Sequence, residues 1–211
     1  HLFSRVFQLN LICFKISLED IKQNSVIGFA YENDNNHFDE GYEEIKQLEG
    51  EMIEFAYNVQ MSDVDIAYTA RIEQLLETVR DAAYAAKEIK DIRHDLVYIR
   101  QSESHFIYEI NKQLSEQTYD FYTMANELFN PHNKVILQEN YDQLKKDVEK
   151  YRDKLTSSIY RSSAEYKITE QDLSTLLNVI GELSLSNTLL LRAMQSYLFQ
   201  NESSQHISKL V

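Results

Sequence analysis

Tryptophan is absent from the 211-residue chain, which has one cysteine, one proline and four glycines. A lone Cys13 excludes an intramolecular disulfide and a CxxC metal site, and the chain is compatible with a reducing compartment. Few breakers mean long uninterrupted elements, and helix is the expectation. The glycines (Gly28, Gly41, Gly50 and Gly181) are scattered, which excludes a glycine-rich phosphate loop. His37, His105, His132 and His206 lack HxxxH or HExxH spacing and are expected to be surface or half-buried residues. No nucleophile–base–acid constellation stands out, so the chain reads as a non-enzyme.

Positive charge is the scarce sign. Twenty-one Lys and Arg face 34 Asp and Glu, a net charge of −13. Phosphate backbones need clustered Lys and Arg, and anionic lipid needs a basic patch, so nucleic acid and direct lipid insertion are not expected. Long hydrophobic runs are missing too. Residues 2–18 are apolar-rich, but Arg5, Gln8, Asn10 and Lys15 interrupt them before the roughly 18 residues of a membrane span. No small-residue cleavage site follows, so the chain is expected to be soluble by itself. It opens on His1 in place of methionine and reads as a fragment or a processed form.

What the sequence does contain is helical periodicity. Residues 2–24 carry two apolar stripes, Phe7-Leu11-Phe14-Leu18-Ile21 and Val6-Leu9-Cys13-Ile16, as in a helix sandwiched in a core. Residues 29–41 are polar and Asn-rich, a loop; Asp34, Asn36 and Asp39 lack EF-hand spacing and its glycine. A second helix follows from Asp39 to about Gln60, with Ile45, Leu48, Met52, Phe55 and Val59 as its seam. Ser62 is placed to cap a long central helix over 67–101. The seam of that helix is Ile72, Leu75, Val79, Ala82, Ala86, Ile89 and Leu96, and Ala82, Ala83, Ala85 and Ala86 let another backbone come close. A fourth helix carries Ile107, Ile110, Leu114, Phe121, Met124 and Leu128 and stops at Asn130-Pro131. A fifth, over about 133–160, carries Tyr141, Leu144, Val148, Tyr151, Leu155 and Ile159. Thr169-Glu-Gln-Asp172 is a capping box opening the sixth. Its seam is Leu173, Leu176, Ile180, Leu183, Asn187, Leu190, Met194 and Tyr197, with Asn187 a polar residue of the kind that sets register. The fold class is therefore all-α, six long antiparallel helices.

The six divide into two. Tyr42-Glu-Glu-Ile-Lys46 resembles Tyr141-Asp-Gln-Leu-Lys145, 99 residues on, and Ile72, Leu75, Leu76, Val79 and Ala82 fall on Leu173, Leu176, Leu177, Ile180 and Leu183, 101 residues on. Two tandem three-helix bundles are expected, 1–101 and 102–201, with 202–211 a frayed tail.

Opposite the seam of the third helix, Glu77, Asp81, Tyr84 and Glu88 form one stripe. Carboxylates at i, i+4 can share a hard or borderline cation, given further ligands from a neighbour; Glu49, Glu51 and Glu54 on the second helix, or His94 about one turn beyond Glu88, are the candidates. The alternative is a solvated acidic face offset by Arg80 and Lys87, on a bundle whose role is structural or dimerising.

The stretch Glu77-Thr-Val-Arg-Asp81-Ala-Ala-Tyr-Ala-Ala-Lys-Glu88 resembles the E-R-I-G-D-x-A-x-x-I-A-E signature of PhoU proteins, tandem three-helix bundles with one such motif per repeat. Asn178-Val-Ile-Gly-Glu182 resembles the second copy, with an amide in place of the first carboxylate. Residues 75–96 and 172–187 look like the C-terminal region of bacterial Na/Pi-cotransporter family proteins, in which a PhoU-like domain follows a transmembrane part. The resemblance runs from about Asp39 onward and implies a regulatory or accessory module for phosphate transport. Its partners would be the transmembrane phosphate-transporter part of the same full-length protein, or a second copy, at the cytoplasmic side of the bacterial inner membrane. Some PhoU proteins hold metal through the motif carboxylates. Carried over, the metal candidates here are Glu77, Asp81, Glu88, Asn178 and Glu182, with Leu189 where Glu88 would recur, and the cofactor a divalent metal or cluster of Fe, Zn or Mg. Phosphate itself is not expected to touch this acidic chain.

Overall fold

A computed structural model of the chain describes residues 1–14, 16, 38–60, 66–129, 134–163, 165–166 and 168–199. They form α1 (Leu2–Cys13), α2 (Phe38–Gln60), α3 (Ile66–Asp91), α4 (Arg93–Gln101), α5 (His105–Glu127), α6 (Lys134–Ser163) and α7 (Glu170–Leu198). α3 and α4 are one rod with a bend at Ile92, where the bond from the Ile92 amide to the Glu88 carbonyl stretches to 3.4 Å and the next, Leu96 to Ile92, closes to 2.9 Å. Taken so, the described residues hold six helices and no strand, an all-α bundle. The box at Thr169 caps α7 in both directions: the Asp172 amide donates to Thr169 Oγ1 at 3.1 Å, and the Thr169 amide donates to the Asp172 carboxylate at 3.3 Å.

Two expectations change. The first helix ends at Cys13, with Phe14 as its cap residue, instead of running to 24; Leu18 and Ile21 lie outside the described residues. At that end Arg100 of α4 donates from Nη1 to the Cys13 carbonyl at 3.0 Å, satisfying a terminal acceptor. The second helix starts at Phe38, one residue before the expected Asp39, and Asp39 and Glu40 sit in its first turn, where the helix dipole favours carboxylates. The seam of α2 also turns: Ile45 is fully buried and Leu48 and Met52 partly, while Phe55 is 60 % exposed and Ala56 takes its place inside. The Ser62 cap, the stop at Asn130-Pro131 and the tail 202–211 lie outside the described residues.

α1, α2 and α3 pack on one another, as do α5, α6 and α7, and the broadest contact in the molecule is α3 against α7. That contact is antiparallel and close because Ala82, Ala83, Ala85 and Ala86 are all buried there. At its centre Ser186 Oγ donates to the Ala85 carbonyl at 2.7 Å, a side chain reaching a neighbouring helix's backbone. Rungs extend both ways along the pair. Gln74 donates to the Ser196 carbonyl at 3.4 Å, Asn178 to Asp95 at 2.7 Å, and Tyr98 to Asp172 at 2.9 Å. Ala85 and Ser186 are 101 residues apart, the spacing at which the two seams align, so the helices cross at matched positions.

α1 enters the core beside this crossing, with ten of its twelve residues buried. Phe7 meets Tyr122 of α5 edge to face at 5.0 Å, and Asn10 donates to the Tyr122 hydroxyl at 2.5 Å and to Ser186 Oγ at 3.5 Å. One buried polar chain thus joins α1, α5, α7 and α3. Neighbouring Asn187 is fully buried, but neither of its amide atoms has a partner among the described residues; register is held by Ser186, not by the asparagine expected to hold it. Ala85→Leu is expected to lower stability by about 1–3 kcal/mol through overpacking. Thr169→Ala should cost about 1 kcal/mol by loss of the cap. Urea denaturation followed by circular dichroism measures both, and a neutral Ala85→Leu would mean the helices do not meet there.

Candidate functional site on the central helix pair

The motif residues lie along the α3–α7 contact, because both motifs sit on the two helices that cross there. They do not form one exposed stripe, which corrects the sequence expectation: α3 is buried on its alanine seam and also where α7 covers Asp81. Asp81 is 6 % exposed and ion-paired to Arg192 of α7, with Arg192 Nε donating to its carboxylate at 2.9 Å. That bond holds the guanidinium above its usual pKa, with the charges of Asp81 and then Glu77 adding to it. Glu77 itself is exposed. Asn178 is exposed and committed to Asp95.

Glu88 and Glu182 do come together. One belongs to each motif, and the antiparallel crossing brings their half-buried carboxyls into hydrogen-bonding contact. Two carboxyls can bond only if one keeps its proton. Burial first, and then the bond to Glu182, push Glu88 up to about 7; the charges of Glu182 and Asp91 add, and Lys87 opposes them. Lys87 is itself paired to Asp91 at 2.6 Å.

The five metal candidates therefore occupy four places: Asp81 with Arg192, Glu88 with Glu182, Asn178 with Asp95, and Glu77 at the solvent edge. Among the described residues no three His, Cys, Asp or Glu side chains gather as a metal would require. The neighbours proposed as further ligands point elsewhere: Glu49 is buried and paired with Lys46, Glu51 accepts from Gln47, and His94 is exposed. The residues present do not fit a closed metal site. Gly181, the glycine of the second motif, has open space where a Cβ would stand, so packing does not call for glycine there.

Arg192 was missed from the sequence although it had a signal, a single cation inside the apolar run Leu189–Met194. Asp95 had none, lying in a mixed-charge run that reads as solvated.

No family model, curated protein or solved structure matches the chain. Its fold and site stand on their own geometry. Among the described residues no helix is long and apolar enough to cross a membrane.

The raised Glu88 pKa has a defined sign. Its contribution to stability is full below the ordinary carboxyl value of 4.5 and is lost as pH rises through about 7. Glu182→Gln keeps a hydrogen bond without the second charge, so the difference in urea midpoint between variant and parent should grow in the variant's favour from pH 5 to pH 8. A constant difference would show that Glu182 does not raise the pKa of Glu88.

Proposed function

We propose that the chain is a regulatory module associated with sodium-dependent phosphate transport, working by protein–protein contact and not by catalysis, on the cytoplasmic side of a bacterial inner membrane. The observation that carries this reading is that the two helices bearing the PhoU-like segments pack antiparallel in the broadest contact of the molecule, with Glu88 of the first segment beside Glu182 of the second. The resemblance of residues 75–96 and 172–187 to the cytoplasmic region of Na/Pi-cotransporter family proteins supports it from the sequence side. In this reading the motif carboxylates are contact chemistry. Asp81 neutralises Arg192, Asp95 takes the amide that replaces a carboxylate at 178, and Glu88 sits beside Glu182 with its pKa raised.

Deleting the chain from its native gene should change the rate of radiolabelled phosphate uptake, and cross-linking in the parent cells should capture a membrane phosphate transporter. Unchanged uptake with no such cross-link overturns the proposal.

A second reading, a metal-binding helical protein, is favoured only by the meeting of Glu88 and Glu182. Elemental analysis of the purified chain separates the two. Less than one bound ion per chain is expected, and a stoichiometric ion lost in Glu88→Gln/Glu182→Gln would favour the metal reading.

A further inference from the structure

The second bundle is open along one side. α6 packs broadly on α7 and less on α5, and the walls of α5 and α6 part to leave a cleft of about 620 Å³. Both walls are helices described along their whole length. From Gln113 to Met124 the cleft follows α5 for about 16 Å, and its volume is that of small-molecule sites, about 300–1,000 Å³. One end is fastened by Tyr151 of α6, whose hydroxyl donates to the Gln113 carbonyl at 2.7 Å.

Apolar side chains floor the cleft and carboxylates line it. Phe121, Leu144 and Val148 are buried at the floor, with Met124 and Tyr151 half-buried beside them. Glu116 and Asp120 come from α5 and Asp147 from α6. Among the described residues Asp120 has no hydrogen bond or ion pair. Asp147 accepts from the neutral Gln143 amide at 2.9 Å, and Glu116 stands 4.0 Å from Lys112. The carboxylates act together inside the cleft. Burial, then the charges of Glu116 and Asp120, push the Tyr151 hydroxyl up to about 12, and Lys150 and Lys154, which also line the cleft, do not offset them there. Thr123, on the α5 wall, has a buried hydroxyl with no partner among the described residues.

We infer that this cleft is a binding site for a small organic ammonium ion with an apolar body. The body lies on Phe121, Leu144 and Val148, which removes apolar surface from water. The register fixed by Tyr151 and Gln113 sets Asp147 level with Gln117, between Glu116 and Asp120 on the other wall, so the cation meets carboxylates from both helices. The faces of Phe121 and Tyr151 add to that attraction. An anion of the same shape is repelled by the same groups. This inference rests on the second bundle alone and does not depend on a role in phosphate transport.

The test is isothermal titration calorimetry of the whole chain with phenylbutylamine, which is protonated at neutral pH. Phenylbutanol and phenylbutyrate keep the body and change the head group. The amine should bind at one saturable site, about tenfold or more tightly than either of the other two. Asp120→Asn/Asp147→Asn should weaken it about tenfold or more. Glu43→Gln/Glu149→Gln removes the same charge from exposed positions outside the cleft and should leave binding unchanged. Asp120 is exposed and Asp147 half-exposed, so the cleft variant should fold, as circular dichroism will verify. Independently of any variant, amide NMR shifts on adding the amine should centre on residues 113–124 and 144–154. No saturable binding, equal binding of the three probes, equal loss in both double variants, or shifts centred elsewhere overturns the inference.

Discussion

The fold depends on how closely α3 and α7 approach. Two antiparallel helices can pass near enough for a serine hydroxyl to reach a backbone carbonyl only if small side chains line the crossing, and Ala82, Ala83, Ala85 and Ala86 are all buried along it. Larger residues would hold the axes at the usual 8–10 Å and put the Ala85 carbonyl out of reach. With the crossing set, the other rungs fall into register from Gln74–Ser196 at one end to Tyr98–Asp172 at the other. α1 and α5 then meet beside it, joined by Phe7, Asn10 and Tyr122.

The same approach changes what the acidic motif residues do. On an isolated helix Glu77, Asp81 and Glu88 would form a stripe facing water. Against α7, each meets a different environment: Asp81 a guanidinium, Glu88 a second carboxyl, and Glu77 mainly solvent. Charge at the interface is thus compensated pair by pair. A metal would need these oxygens to converge, and the antiparallel arrangement spreads them over several turns.

Much of the fold was legible because helical periodicity is a local property. The six helices, the capping box at Thr169 and the alanine seam could each be read from spacing and residue type. The misreadings came from contacts between elements. Phe14 reads as an interior position of a helix until Arg100, 86 residues on, takes the Cys13 carbonyl. Phe55 fits the α2 seam by spacing, yet the direction in which α2 leaves the bundle exposes it. Asn187 has the look of a register residue, but its neighbour Ser186 faces the crossing.

Composition and periodicity by themselves determined the all-α class, the acidic character, the order of the helices and the offset at which two of their seams align, since all of these follow from residue identity and the 3.6-residue turn. Only the tertiary structure decided which carboxylate meets which partner, and that burial and the neighbouring Glu182 raise the pKa of Glu88. Those depend on the relative position of residues about a hundred apart in sequence, and the pattern along a single helix does not encode the register of a neighbour.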